Sequence, residues 1–159
     1  MNVDGFTTCL WFDGRAEEAA DYYTSIFANS KIGRVTRYND AVPDFAGKVL
    51  TIEFELNGQK FVGLNGGPEF TFNEAISFQI PCDDQAEVDY YWNALSDGGE
   101  VVECGWLKDR FGVSWQVVPT RLIEMINDPD QEKAARATGA MLKMVKLDIS
   151  ELEKAYAGS

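Results

Sequence analysis

The chain has 159 residues, a net charge of −12 and no histidine. The length predicts one domain, which could be built from two half-size modules, and the negative charge disfavours nucleic acid as a partner because phosphates would be repelled. Without histidine there is no Ser-His or Cys-His nucleophilic pair and no imidazole-based zinc site. The sequence also has no apolar run of about 18 residues and no signal-like start, so we expect a cytoplasmic protein without a membrane partner.

The first half of the chain is predicted to form a strand, a helix and three further strands. In order, these elements lie at 7–12 (strand), 16–27 (helix), and 31–38, 50–56 and 60–64 (strands). The helix is predicted from apolar residues at helical spacing, and the segment 50–56 from strict alternation of apolar and polar residues. Asn57-Gly58 between the last two strands suits a two-residue hairpin turn.

The second half is predicted to begin with the same strand and helix order. Its elements lie at 75–81 (strand), 85–95 (helix), and 100–107 and 113–118 (strands), the last two joined by a tight hairpin. Asp84 and Glu87 resemble a capping box at the start of the helix, and Gly98-Gly99 indicates its end. Further helices are predicted in TRLIEMIND, at 130–144, and after a capping box at Ser150-Glu-Leu-Glu153.

Two stretches of the chain echo each other. SFQIPCDDQAEVDYYWNAL aligns without a gap on CLWFDGRAEEAADYYTSIF, so that Ser77 corresponds to Cys9 and Asp89 to Asp21. The shared Asp-Tyr-Tyr falls at the same place in the same strand-helix pattern, which indicates two repeated modules. Two unrelated strand-helix units remain the alternative.

Paired modules of this kind resemble the vicinal oxygen chelate superfamily, which includes glyoxalase I, extradiol dioxygenases and bleomycin-resistance proteins. Within it, the chain is similar to the PhnB-like family, often labelled 3-demethylubiquinone-9 3-methyltransferase. The similarity is carried by LWFDGRAEEAADYYTSIF, LNGGPEFTFNEAISFQIPCDD, VDYYWNALSDGGE and CGWLKDRFGVSWQVVP. The tail MLKMVKLDISELEKAYAG is also similar to the C-terminus of that family.

The resemblance implies an α+β fold within a single domain, 1–159. Two βαβββ modules, at 5–72 and 73–120, would form a curved, mixed eight-stranded sheet, with helices on its convex face and a concave pocket opposite. A helical tail at 121–159 would pack outside this core. The resemblance also implies a homodimer, and leaves open whether the modules pair within one chain or swap between two.

Metal-dependent members of the superfamily bind an ion through four inward side chains, usually His, Glu or Gln, on the first and last strands of each module. The resemblance places the corresponding positions at Cys9 (Thr7 or Thr8 in a shifted register), Gly63 with Asn65 on the same face, Ser77 with Gln79 on the same face, and Gln116. Hydroxyl and amide oxygens bind divalent ions weakly without a carboxylate or imidazole. No metal and no other cofactor is therefore expected.

The remaining polar and aromatic groups predict a small-molecule pocket instead. The expected ligand-binding residues are Cys9, Trp11, Asn65, Ser77, Gln79, Trp106 and Gln116. Alternatively, Gln79 and Gln116 only hydrogen-bond each other. Four aromatic residues either stack on a flat ligand or belong to the core or the dimer interface. They are Trp11, Trp106, Trp115 and Phe111. Arg110 either anchors an anion or forms a surface ion pair.

Three functions remain open at the level of the sequence. The first is a metal-free small-molecule-binding protein of a sequestering or resistance type. The second is a lyase-like or dioxygenase-like enzyme of the same superfamily, in which Glu53, Glu55 or Cys9 supplies a base or a metal ligand. The third is the methyltransferase of the family label. It is disfavoured because GLNGGP runs into Pro68 rather than a helix, so no glycine-rich nucleotide-binding unit is predicted.

Overall fold

The computed structural model describes residues 5–158, which contain eight strands and five α-helices. The chain forms two compact units, one ending at Thr71 and the other beginning at Phe72. Each unit has its own four-stranded mixed sheet crossed by a helix, so the α+β class and the repeated modules are confirmed. The strands are divided between two separately hydrogen-bonded sheets of four, where the resemblance implied one sheet of eight.

The first unit contains the five predicted elements, with ends shifted by at most one residue. They are β1 (Thr8–Phe12), α1 (Ala16–Ile26), β2 (Ser30–Arg37), β3 (Val49–Leu56) and β4 (Gln59–Asn65), with a short 3-10 turn at Pro43–Phe45. The sheet order is β1-β4-β3-β2. β1 runs parallel to β4 and the other neighbours are antiparallel. The predicted turn at Asn57-Gly58 has positive φ at both residues, as a two-residue hairpin requires.

The two faces of the first sheet differ because side chains alternate along each strand. One face is covered by α1, whose Tyr23 stacks on Phe54 with 6.1 Å between ring centroids. Gly63 lies under the same helix, where an added Cβ would come 3.1 Å from the Ala16 Cβ. We call the opposite face the first open face; its residues are Cys9, Trp11, Glu53, Glu55, Val62 and Leu64.

The second unit contains a second sheet and all the remaining helices. Its elements are β5 (Ser77–Cys82), α2 (Gln85–Ser96), β6 (Glu100–Val101), β7 (Trp106–Lys108), β8 (Ser114–Pro119), α3 (Thr120–Ile126), α4 (Gln131–Met141) and α5 (Ile149–Ala157). The sheet order β5-β8-β7-β6 repeats that of the first sheet. Asp84 caps α2 as predicted, because its carboxylate accepts a hydrogen bond from the Glu87 amide at 2.9 Å.

The prediction of a single strand over 100–107 was wrong. The chain reverses direction between β6 and β7, where Cys104 and Gly105 have φ of 59° and 80°. The Val102 amide donates to the Trp106 carbonyl, and the Trp106 amide donates to the Glu103 carbonyl. The apolar run around this turn concealed it, since Gly105 is its only turn-forming residue in the sequence.

One face of the second sheet packs against α2. Val88, Trp92 and Leu95 of this helix are buried, as are Trp115 and Val117 of β8. The opposite face carries side chains of β5, β7 and β8. We call it the second open face; its residues are Ser77, Gln79, Trp106, Lys108, Ser114 and Gln116.

The three C-terminal helices form a separate core within the second unit. Its buried members are Leu122, Met125, Ala137, Leu147 and Leu152. The prediction that Ser150 caps α5 was wrong by two residues, because the Asp148 carboxylate accepts the Glu151 amide at 3.0 Å. Both are good capping residues, so the sequence alone did not separate them.

The tail is tied to the second sheet through its backbone. The Met144 and Val145 carbonyls accept hydrogen bonds from the Cys104 and Gly105 amides, each at 2.8 Å. The Gln85 side chain bonds both the Leu147 carbonyl and the Ile149 amide. The tail is therefore part of the second unit. None of the helices within residues 5–158 is long and apolar enough to cross a membrane.

Candidate functional site

Cys9 and Trp11 lie on the first open face, two residues apart along β1. Their register partners on β4 are Val62 and Leu64. Cys9 is exposed, yet partial burial of its thiol raises the pKa above the ordinary value. This partial burial disfavours the thiolate, which is the form that acts as a nucleophile or a metal ligand.

Trp11 is half-buried and holds the loop that follows β4. Its indole N–H donates to the Gly67 carbonyl at 2.8 Å, and its ring meets Phe70 edge-on with 5.0 Å between centroids. A Cβ added to Gly66 would lie 2.4 Å from the indole, so glycine is needed for this close contact. Much of the Trp11 ring is thus committed to the loop.

Asn65 lies on the other face of the first sheet, beside the start of α1. Its Oδ1 accepts the Ala16 amide at 2.9 Å, and its Nδ2 donates to the Glu17 carboxylate at 2.8 Å and to the Val49 carbonyl at 3.1 Å. The structure therefore does not bring Asn65 together with Cys9 and Trp11. It anchors the helix to the sheet and borders a different cleft of about 720 Å³.

Glu53 and Glu55 lie on the first open face and border a cleft of about 690 Å³. Each faces a cation on β2. Glu55 Oε2 is 2.6 Å from Lys31 Nζ, and Glu53 Oε1 is 3.7 Å from the Arg34 guanidinium. Both carboxylates are therefore engaged in ion pairs, which disfavours a role as a general base or a metal ligand.

The second open face brings together the four predicted site residues of the second unit. Gln79 Nε2 donates to Gln116 Oε1 at 3.2 Å, and Gln116 Nε2 donates to Ser77 Oγ at 2.8 Å. We call these three side chains the amide row. Trp106 lies beside the row as the register partner of Gln116 on β7. Ser77, Gln116 and Trp106 are half-buried, and Gln79 is exposed.

Sequence reasoning missed Ser114, which continues the amide row at its Ser77 end. Ser114 is 1 % exposed, and its Oγ has no hydrogen-bond partner among residues 5–158. Its register partners are Ser77 on β5 and Lys108 on β7. Lys108 forms an ion pair with Glu74 that raises the pKa of the lysine and lowers that of the carboxyl group. The sequence offered one signal for Ser114: it lies two residues before Gln116, and residues at this spacing on a strand share a face.

The other aromatic and charged candidates have structural contacts. Trp115 is buried on the α2 face, and its indole N–H donates to the Asp109 carboxylate at 2.8 Å. Asp109 also accepts the Phe111 and Val113 amides, which shapes the hairpin before β8. Arg110 forms an ion pair with Asp97 at 2.7 Å, as the surface-pair alternative predicted.

The donor groups at the expected metal positions do not fit a divalent ion. Leu64, rather than Asn65, is the β4 residue that faces the same way as Trp11, and it has no ligating atom. Ser77 and Gln116 supply neutral oxygens, which are weak ligands alone. Among residues 5–158, no group of three or more Cys, Asp or Glu side chains could hold an ion.

Two modules with this strand order, each with one helix across one sheet face, define a protein of the vicinal oxygen chelate class with a glyoxalase/bleomycin-resistance-like fold. Within this class the chain belongs to the PhnB-like family described as 3-demethylubiquinone-9 3-methyltransferase, whose model matches residues 4–118. That match ends within β8, so the likeness of the tail to the family C-terminus stays a prediction.

Solved structures agree with this assignment. A PhnB protein from Bacillus cereus is 35% identical, with a TM-score of 0.66 over 72% of this chain and 98% of its own. Protein PA1353 from Pseudomonas aeruginosa is 22% identical, with a TM-score of 0.59 over 72% and 96%. The fosfomycin resistance protein FosX from Listeria monocytogenes is 18% identical, with a TM-score of 0.52 over 80% and 100%. The last two show likeness of fold alone, and no curated protein matches significantly.

Proposed function

We propose that the chain binds a small molecule on the second open face without the help of a metal ion. The observation that carries this proposal is the amide row beside Trp106. Each glutamine amide has donor or acceptor capacity beyond the bonds within the row. An aromatic side chain beside a few fixed polar groups is the usual composition of a small-molecule site.

The row can also be explained as two glutamines that satisfy each other, as the sequence already suggested. Ligand binding is the better explanation because the row lies on the face turned away from α2, where water could solvate each amide separately. An ordered chain of three side chains there fixes the direction of their unused donors and acceptors. Such preorganisation lowers the cost of binding a ligand.

The enzyme and methyltransferase alternatives have less support from the contacts. Glu53 and Glu55 are ion-paired, and partial burial raises the pKa of the Cys9 thiol. The segment after Gly66-Gly67 leads to β5 without an intervening helix, unlike a glycine-rich loop that binds a nucleotide at a helix start. The homodimer implied by the family resemblance and the cytoplasmic location expected from the sequence stay predictions.

A thermal-shift screen tests the proposal directly. The panel contains small aromatic and carbonyl compounds, Mn²⁺, Mg²⁺ and S-adenosylmethionine, because any compound that binds the native state raises the unfolding midpoint. Gln116→Leu removes the central amide at similar volume, and Gln131→Leu, at an exposed position of α4, is the matched control. We expect an organic compound to stabilise the wild type and Gln131→Leu but not Gln116→Leu.

Each contrary result has a defined meaning. A midpoint rise with Mn²⁺ that disappears in Gln116→Leu would refute the metal-free proposal. A rise with S-adenosylmethionine would favour methyl transfer. If no organic compound gives stabilisation that depends on Gln116, the amide row is only a structural contact and the proposal fails.

A further inference from the structure

The hydroxyl group of Ser114 is buried in the second unit without a hydrogen-bond partner in the described part of the chain. It is the only buried side-chain polar atom within residues 5–158 that lacks a hydrogen-bond partner. A buried hydroxyl in this state destabilises the native protein relative to one that is paired. Unpaired buried polar groups are rare in folded proteins and call for a specific explanation.

A second hydroxyl lies directly beside it. Ser77 on β5 is the register partner of Ser114 on β8. Ser77 Oγ accepts a hydrogen bond from Gln116 Nε2, which leaves the Ser77 proton available to donate. Register partners on adjacent parallel strands are about 4.8 Å apart, and hydroxyl hydrogen bonds are about 2.7 Å long. This spacing would let both hydroxyls donate to one oxygen atom held between them. The ligand oxygen would have to open that space on binding, because Ser114 Oγ exposes less than 1 Å² in the free protein.

We propose that the Ser77 and Ser114 hydroxyls form a subsite that donates two hydrogen bonds to a carbonyl oxygen of a small planar ligand. The inference rests on the proposed function, because it names the chemical group that binds at one end of the amide row. The amide row holds Ser77 in place, and the indole of Trp106 supplies a flat surface for the remainder of the ligand.

The charges around the subsite favour a neutral carbonyl over a carboxylate. The nearest cation by register is Lys108, and its ammonium group is already paired with Glu74. The net charge of −12 also repels anions from the chain as a whole. A carboxylate would have to replace Glu74 at Lys108, whereas a ketone or amide oxygen needs only the two hydroxyls.

The test uses acetophenone as the carbonyl probe, benzoate as the carboxylate probe and toluene as a control without an acceptor oxygen. Binding is followed by NMR through the side-chain amide signals of Gln79 and Gln116 and the indole signal of Trp106. The variants are Ser114→Ala and Ser77→Ala, with Ser150→Ala, at an exposed position of α5, as the matched control.

We expect acetophenone to bind more tightly than toluene, and Ser114→Ala and Ser77→Ala to weaken it about tenfold each. Ser114→Ala should leave the urea midpoint of the free protein unchanged or higher, because it removes an unpaired buried hydroxyl. Ser150→Ala should change neither quantity. Tighter binding of benzoate that is lost in Lys108→Met would assign the oxygen to a carboxylate and overturn the choice of a neutral carbonyl.

Failure of the subsite can be told apart from failure of the proposed function. Acetophenone affinity within twofold of wild type in both serine variants, or equal binding of toluene, overturns the subsite and leaves the binding face intact. A lower urea midpoint for Ser114→Ala with unchanged affinity assigns the hydroxyl a structural role and also overturns it. If neither the probes nor the wider panel binds in a way that depends on Gln116, both proposals fail.

Discussion

Replacing Asn65 by alanine should destabilise the first unit rather than weaken ligand binding. The substitution removes the acceptor of the Ala16 amide, a donor to the Val49 carbonyl and a donor to the Glu17 carboxylate. Ala16 is completely buried, so its amide would have no water to replace the lost acceptor. A buried donor left unpaired costs about 1–3 kcal/mol, and the other two bonds add to this. We expect a loss of about 2–4 kcal/mol in the free energy of unfolding.

Urea unfolding followed by circular dichroism measures this loss. Asn93→Ala is a suitable control, because Asn93 is exposed on α2 and should change stability by less than about 0.5 kcal/mol. Acetophenone binding on the second open face should be unchanged in Asn65→Ala under conditions where the variant is folded. A stability change below about 0.5 kcal/mol combined with a loss of ligand binding would refute the structural role and restore Asn65 as a ligand residue.

Gly105→Ala should cost about 2–4 kcal/mol of stability. Gly105 has φ of 80°, which strains any other residue, and the new methyl group would lie 2.8 Å from the Val117 carbonyl and 2.9 Å from the Leu147 side chain. Gly139→Ala is the opposite case, because no atom of residues 5–158 beyond the local backbone of α4 lies within 4 Å of the new methyl group. Thermal unfolding should show a gain of about 0.5–1 kcal/mol, and equal effects of the two substitutions would contradict this reasoning. Burial of Cys82, with the nearby carboxylates of Glu87, Asp83 and Asp84, raises the pKa of its thiol from 9.0 to about 12. The unfolded chain releases this proton first, so the wild type should lose stability between about pH 9 and 12 more steeply than Cys82→Ala, and parallel urea titrations of the two would disprove the shift.

Much of the fold could be predicted because its signals are periodic and local. Alternation along β3, the Asn57-Gly58 turn and the helical spacing of α1 each identify an element without knowledge of distant residues. The repeat then aligns β1 with β5 correctly. Which face a residue occupies on β4 depends on pairing between strands, and a shift of one residue moves every side chain to the other face. For this reason the prediction placed Gly63 and Asn65 on the same face as Cys9, where the structure has Val62 and Leu64.

In the second unit, too, the sequence indicates which strands carry the candidate site but not how every side chain on them packs. Ser77, Gln79 and Gln116 could be grouped because the repeat and the resemblance both point to β5 and β8. The spacing of Ser114 from Gln116 indicates only that the two share a face; the burial of Ser114 and its lack of a partner are properties of the packed structure. The reversal at Cys104-Gly105 was hidden for a related reason. It depends on the Met144 and Val145 carbonyls, which lie about 40 residues further along the chain.

The links between the tail and the second sheet also bear on how the chain folds during synthesis. The first sheet is complete once β4 has been made, because all its strand and helix partners precede Asn65. The second unit is complete only when Val145 can pair with Gly105 and Ile149 can reach Gln85. At about 5–20 residues per second, several seconds separate the two events. During that interval, residues 77–119 carry unsatisfied backbone groups and an uncovered apolar surface, so damage to the tail should reduce the yield of soluble protein before it affects the first unit.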